Sequence, residues 1–292
     1  MFLVTGKTTI IGVIGDPIAH SLSPAMHNAA IEALGLDWCY VAFRVSSDRV
    51  REAVVGVRGL NIRGINVTVP HKQAVMPFLD EVSDEASAIG AVNTIKHEDG
   101  RLIGYNTDVY GIRAALRYGT GLHPLPPEVV VLGAGGAARG IVYALAGCEG
   151  VERLTILNRT VEKAERLAEE MLAGAASTGP VEIEAHSLDP GDVRAALKSA
   201  GLIINATSVG MHPQVDDTII DDPDAFCEGQ LLLDTVYNPR QTRLMAVAQC
   251  GGARAVNGID MLVYQGAKSF EIWTGMSPPV DVMRGAIEGH PS

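Results

Sequence analysis

Apolar residues along this chain follow two alternating rhythms. Short runs rich in Val, Ile and Leu read as strands, and longer stretches with apolar positions every three or four residues read as amphipathic helices. Thr9–Ile14, Tyr40–Val45 and Ile65–Val69 are the first expected strands, with helices Pro24–Leu34 and Asp48–Val57 between them. Val92–Lys96 and Leu102–Tyr105 form an expected hairpin turning through Glu98, Asp99 and Gly100. A helix over Val109–Tyr118 leads to Gly121–Pro127, whose prolines make it the best linker candidate. A second series starts at Val129 with strand, glycine-rich turn and helix. The strand Leu154–Leu157, a long helix Val161–Met171 and strands near Val181, Leu202 and Leu231 follow. Helices Met261–Trp273 and Pro279–Ile287 complete the pattern and fit either half of the chain. Strands and helices in alternation predict an α/β architecture with mostly parallel sheets. No internal repeat or low-complexity tract interrupts it, and 292 residues give room for two domains, each with its own core.

Composition narrows the partners. The chain has 20% charged and 47% hydrophobic residues, ordinary values for a globular protein of this size. A net charge of -11 argues against nucleic acid or an anionic membrane as main partner, because both need a broad basic surface. An anionic ligand must be held by local donors. Cys39, Cys148, Cys227 and Cys250 are scattered, with no C-x-x-C pair, so reduced thiols are expected and a metal cluster is not. Asp16 and Pro17 interrupt the first apolar stretch, and the most apolar window, Val129–Gly147, carries Arg139 and several glycines. Neither a leader nor a membrane span is therefore expected, and the predicted location is cytoplasmic.

Candidate chemistry begins at Asn66-Val67-Thr68-Val69-Pro70-His71-Lys72. On a strand, Asn66 and Thr68 share one face while Val67 and Val69 share the other. Pro70 ends the strand and suits the start of a helix, which would put Lys72 in the first turn, against the positive end of the dipole. A lysine so placed is a functional candidate, although the same residues also fit a solvated lysine beside a strand end. Further on, Val129–Leu132 runs into Gly133, Ala134, Gly135, Gly136, Ala137 and Ala138. This matches G-x-G-x-x-G/A between strand and helix, a dinucleotide site of the Rossmann type. The next strand ends in Asn158, Arg159 and Thr160, with Lys163 one turn later and no acid at the tip, which favours NADP over NAD. Thr160 also suits a helix N-cap. Near the start of the chain, Ser23 can cap the first helix with Pro24 following, or Ser21 and Ser23 can together bind a carboxylate or hydroxyls. Asn93 and Asp108 add polar groups at other strand ends, where open α/β sheets bind ligands.

Taken in order, these motifs resemble the shikimate dehydrogenase family over nearly the whole chain. The carrying residues are Ser21-Leu22-Ser23-Pro24, Asn66 through Lys72, Gly90-Ala91-Val92-Asn93-Thr94, Asn106-Thr107-Asp108, the glycine loop, Asn158-Arg159-Thr160, Asn205-Ala206-Thr207-Ser208, Tyr237-Asn238-Pro239, and Asn257-Gly258 through Gln265. The resemblance implies reversible reduction of the ring ketone of 3-dehydroshikimate by NADPH, giving shikimate. It implies Lys72 and Asp108 as the catalytic pair. Substrate contacts would come from Ser21, Ser23, Thr68, Asn93 and Gln265, with Asn66 and Tyr237 close by. Gly133 to Ala137, Asn158 to Lys163, Thr235 and Gly258 would line the cofactor, and Asp84 falls where relatives often carry an acid near it. The implied division is a substrate domain with a mixed, mainly parallel sheet over residues 1–108 and 258–292, and an NADP-binding domain over 109–257, with the active site in the cleft between them. His71 stands where Phe is common and Lys163 where Arg is common, and lysine cannot grip a phosphate bidentately. Two other readings compete: an NAD-dependent quinate/shikimate dehydrogenase, and a dinucleotide-binding regulator without catalysis. Arg159 and Ser23 speak against the first, and the intact Lys72 and Asp108 against the second. A homodimer is compatible with all of these.

Overall fold

The computed structural model describes residues 4–174 and 181–289. The chain forms two compact units: one runs to Gly111 and resumes at Leu262, and the other is Ile112–Met261. Residues 1–3 and 290–292, which the expected substrate domain includes, lie outside the described residues.

The first unit begins with strand β1 (Thr9–Gly15), helix α1 (Ser23–Ala33), strand β2 (Trp38–Arg44), helix α2 (Val50–Gly59) and strand β3 (Gly64–Val67). Strand β4 (Glu81–Val82), helix α3 (Asp84–Ile89) and the hairpin of β5 (Thr94–Glu98) and β6 (Arg101–Tyr105) follow, then helix α4 (Asp108–Ala114), whose residues up to Gly111 belong to this unit. The hairpin turns through Asp99 and Gly100, both at positive φ, as the turn residues predict. Six strands form one sheet in the order β2-β1-β3-β5-β6-β4. β1 pairs in parallel with β2 and β3, and β5 is antiparallel to both β3 and β6, so the sheet is mixed.

The second unit contains β7 (Glu128–Leu132), α5 (Gly136–Ala146), β8 (Arg153–Leu157), α6 (Val161–Gly174), β9 (Glu182–His186), α7 (Pro190–Leu197), β10 (Leu202–Asn205), β11 (Leu231–Asp234), α8 (Arg243–Cys250) and β12 (Arg254–Val256). Its strands are all parallel in the order β12-β11-β10-β7-β8-β9. Counted from β7, that is the 3-2-1-4-5-6 order of a doubly wound dinucleotide fold, with its switch point between β7 and β10. Helix α9 (Ile259–Thr274) carries the chain back to the first unit, and α10 (Val280–Glu288) packs on α1.

Side-chain alternation explains how α9 is held. Ile65 and Val67 of β3 face one apolar cluster with Val54 and Val57 of α2, Ala86 of α3 and Ile95 of β5. The other face of β3 presents Gly64 and Asn66 to α9. Trp273 of α9 is fully buried, and its Nε1 donates to Ile95 O at 3.0 Å. A Cβ at Gly64 would lie 2.1 Å from that nitrogen, so only glycine lets the indole reach the sheet. Beside it His27 is fully buried, stacked on Tyr40 with centroids 4.3 Å apart, and neither ring nitrogen has a hydrogen-bond partner among the described residues.

Three local expectations change. β3 stops at Val67 rather than Val69, and no α-helix follows Pro70. The Lys72 carbonyl accepts from Val92 N at 2.8 Å and so is not available to a helical amide, while Met76 N turns back to Gln73 O. Lys72 therefore lies in an irregular turn pinned beside β5. Helix α4 ends at Ala114 and continues as a wider π-type turn over Ala115–Thr120. The proline-bearing segment 121–127 is not a linker but part of the second unit: Leu125 is buried, and Pro127 O accepts from Glu152 N and Arg153 N, each at 2.9 Å.

Two outcomes follow from this packing. Gly64→Ala must displace the Trp273 ring and should cost about 1–3 kcal/mol of stability; an unchanged urea midpoint would refute the fit described. Burial pushes the His27 imidazole down from 6.5 to about 3, so the folded protein holds it neutral. Because its folded pKa lies below the unfolded value, stability present above pH 6.5 is lost as pH falls towards 3. A His27→Met variant should show a smaller fall in melting temperature between pH 7 and pH 4 than the parent. An equally steep fall would show that other groups carry the acid sensitivity.

Candidate active site

The carboxyl ends of β1 and β3, with the segments that flank β5 and β6, gather most of the expected substrate residues within the first unit. Lys72 Nζ lies 2.6 Å from Asp108 Oδ2, and the side chains are only 12% and 5% exposed. Asp108 opens α4, where its charge meets the positive end of the helix dipole. Its backbone N donates to Asn106 Oδ1 at 3.0 Å. The other carboxylate oxygen accepts from Asn93 Nδ2 at 2.9 Å. Asn93 is oriented without ambiguity, because its Oδ1 accepts the Thr107 backbone N–H at 2.8 Å while its Nδ2 reaches a carboxylate. Lys72 thus faces a carboxylate whose direction is set by a buried carboxamide. Close behind it, His71 is buried and its Nε2 lies 2.6 Å from Val45 O, which fixes the turn from below.

Asn66 is buried one layer deeper. Its Oδ1 accepts from Tyr40 OH at 2.8 Å, and its Nδ2 donates to Asn93 O, Thr94 Oγ1 and Ser269 Oγ at 3.2, 3.1 and 2.9 Å. Ser269, on α9, also lies 2.8 Å from Thr94 Oγ1 and 3.1 Å from Thr107 Oγ1, and donates to Gln265 O. Gln265 Oε1 comes within 3.4 Å of Asn93 Nδ2. Thr68, half-buried, follows β3, and its methyl packs where a Cβ on Gly15 would sit. The expectation that Ser23 caps α1 is corrected: Ser23 is inside the first turn, and the helix has no side-chain cap. Instead Ser21 Oγ accepts from Ser23 N at 3.3 Å, which ties the two serines together at the exit of β1. Asp84 is exposed in the first turn of α3, which Ser83 caps. Tyr237, Thr235 and Gly258 belong to the second unit.

In that unit, Gly133 follows β7 at φ 106° and its N donates to Leu157 O at 2.7 Å, giving the tight turn that the glycine motif predicts. Ala134 and Gly135 lead into α5, which starts at Gly136 and Ala137 with no side-chain cap and no acid in its first turn. Nothing lies within 4 Å of a Cβ placed on Gly135. Free N–H groups, a positive dipole end and open space above a glycine fit a pyrophosphate. At the end of β8, Asn158 Nδ2 donates to Thr160 O at 2.7 Å, while Arg159 and Lys163 are exposed and form no ion pair among the described residues. Gly258 is held against the turn after β11, where a Cβ would lie 2.1 Å from Thr235 O.

Sequence reasoning missed Tyr40, Ser269, Thr107 and Asp234. Tyr40 reads as an ordinary strand residue and Ser269 as one polar position on an apolar helix face; only the spacing Gln265 to Ser269, one turn apart, hinted that they share a side. Asp234 is fully buried, and burial pushes its carboxyl up from 3.8 to about 6 against the pull of its hydrogen bonds from Thr242, Val236 and Asn205. The signal for it was an acid ending an otherwise apolar run, Leu231–Leu233.

The chain is similar to known proteins over nearly its whole length. The family model for the shikimate dehydrogenase substrate binding domain matches residues 13–95, that for shikimate / quinate 5-dehydrogenase matches 125–242, and that for the shikimate 5'-dehydrogenase C-terminal domain matches 258–288. Shikimate dehydrogenase (NADP(+)) of Methanothermobacter thermautotrophicus is 45% identical, over 98% of each chain. A crystal structure of a shikimate dehydrogenase in complex with NADP+ is 43% identical with a TM-score of 0.87, over 98% of this chain and 96% of the other. That of Thermus thermophilus shikimate 5-dehydrogenase in complex with NADP(H) and shikimate is 38% identical with a TM-score of 0.82, over 96% and 98% of the chains. On motif order, on both sheets and on these matches, the chain belongs to the shikimate dehydrogenase family.

Proposed function

We propose that this protein reduces the ring ketone of 3-dehydroshikimate to shikimate, reversibly, with NADPH, the step that serves aromatic amino acid biosynthesis. The observation that carries this reading is the Lys72–Asp108 pair at 2.6 Å, shielded from water and oriented by Asn93. A hydride delivered to a carbonyl carbon leaves negative charge on the oxygen, and NADPH supplies that hydride when bound. The Lys72 ammonium stabilises the developing charge and donates the proton. Asp108 keeps the ammonium aimed and accepts from a substrate hydroxyl. Ser21 and Ser23 hold the substrate carboxylate, with Thr68, Asn66, Asn93, Gln265 and Tyr237 completing the hydroxyl contacts. In a chain of net charge -11, such neutral donors are the means of retaining an anion without a basic surface.

The cofactor residues proposed are Gly133 to Ala137 for the pyrophosphate, Arg159 and Lys163 with Asn158 and Thr160 for the 2'-phosphate, and Thr235, Gly258 and Asp84 nearby. Arg159 without an acid beside it supports NADP over NAD. The substrate domain of this proposal is 1–108 with 258–292, and the NADP domain 109–257. The acidity of the chain supports a small-molecule partner rather than nucleic acid or a membrane surface. No helix among the described residues is long and apolar enough to cross a membrane. A cytoplasmic homodimer completes the proposal.

Removing an interaction made mainly in the transition state lowers kcat more than it raises KM. Lys72→Ala should lose about a hundred- to ten-thousand-fold in kcat while still binding NADPH. Because Lys72 and Asp108 act together, the double variant should be little slower than the worse single one. Near-native kcat at saturating shikimate and NADP would remove Lys72 from the chemistry. For the cofactor, Arg159→Ala should raise the KM for NADP and leave that for NAD nearly unchanged; equal losses with both would overturn the assignment of Arg159.

A further inference from the structure

The run Asn205-Ala206-Thr207-Ser208 has no part in the chemistry above, yet its polar groups form a chain with one direction. Asn205 is fully buried at the end of β10. Its Nδ2 donates to Asp234 Oδ1 at 2.8 Å, and its Oδ1 accepts from Thr207 N at 3.0 Å and Thr207 Oγ1 at 2.8 Å. Thr207 Oγ1 accepts in turn from Val209 N at 3.2 Å. An ionised carboxylate only accepts and a backbone N–H only donates, so the Asn205 amide has a single orientation. At the far end, the methyl of Thr207 fills the place beside Gly133: a Cβ on that glycine would be 2.7 Å from it.

At the near end, Asp234 receives two more donors. Val236 N reaches Oδ1 at 3.0 Å and Thr242 Oγ1 reaches Oδ2 at 2.6 Å. The Thr242 hydroxyl already accepts from Met245 N at 3.2 Å as the cap of α8, and its one proton goes to Asp234. Donors from three segments thus converge on one side chain, and only an all-acceptor group satisfies them together. No cation pairs with Asp234 among the described residues. A fully buried carboxylate without a cation is a costly way to hold a turn, which makes its placement at the carboxyl ends of β10 and β11, next to the switch point, informative.

We propose that Asp234 is a positioning residue for dinucleotide binding: through Asn205 it sets Thr207 against the Gly133 turn, and through the Val236 N–H it shapes the turn bearing Thr235. This rests on the reading of the second unit as the NADP-binding one. Asp234 touches no reacting atom, so its effect is on cofactor affinity and not on the proton-transfer pair of the first unit.

Equilibrium titration of the whole protein with NADP, and separately with shikimate, tests the idea. Asp234→Ala removes the acceptor and should weaken NADP binding about tenfold while leaving shikimate affinity unchanged. Asp234→Asn keeps the oxygen that accepts from Asn205 and Val236 and gives up only the Thr242 contact, so NADP affinity should return most of the way to that of the parent. If Asp234→Ala does not fold, Thr207→Val, which keeps the shape and loses both hydroxyl contacts, should show the same selective weakening. Unchanged NADP affinity in folded Asp234→Ala, or in Thr207→Val where that variant is used, overturns the proposal, as does equal weakening for both ligands. Failure of the parent protein to bind NADP at all would instead overturn the cofactor reading itself.

Discussion

The organisation of the first unit depends on the saturation of one buried carboxamide, Asn93. Its backbone N donates to Tyr105 O and its carbonyl accepts from Val67 N, so it joins β3 to β6 before its side chain is considered. Its Oδ1 then takes the Thr107 amide, and its Nδ2 holds Asp108. Each of these partners would be left unpaired in a low-dielectric interior if the side chain turned or shortened, and an unmade buried hydrogen bond costs more than a made one contributes. The position of the carboxylate facing Lys72 is therefore decided by satisfaction of polar groups rather than by apolar packing.

Apolar packing does the complementary work on the opposite face of the same strands. Ile65, Val67 and Ile95 enter the cluster with α2 and α3, while their neighbours Asn66 and Thr94 meet Ser269 on α9. The two-residue period of a strand separates these tasks cleanly.

Much of this was legible in the residues. The hydrophobic rhythm located most strands and helices to within a few positions but passed over β4, α3, α7, α8 and β12, the glycine motif located the tight turn after β7, and the alternation of Asn66 with Val67 foretold a polar face. What failed to show was long-range hydrogen bonding. The carbonyl of Lys72 is claimed by Val92 N from another segment, so a local preference for helix after Pro70 was overruled. Ser23 looked like a cap because its type and place suited one, but the turn closes through Ser21 instead. Tyr40 and Ser269 gain their roles only from partners far along the chain, and no local pattern marks such residues.

The return of α9 to the first unit has a consequence for the order of events during synthesis. All the strands of the second unit are contiguous in sequence, so that unit has everything it needs as soon as β12 leaves the ribosome. The first unit does not. Until Ser269 and Trp273 are made, Asn66 and Thr94 lack their α9 partner and the strip of β3 at Gly64 is bare. The strands that precede the second unit therefore wait for a helix that follows it, and the first unit is completed only after the strands of the second have been made.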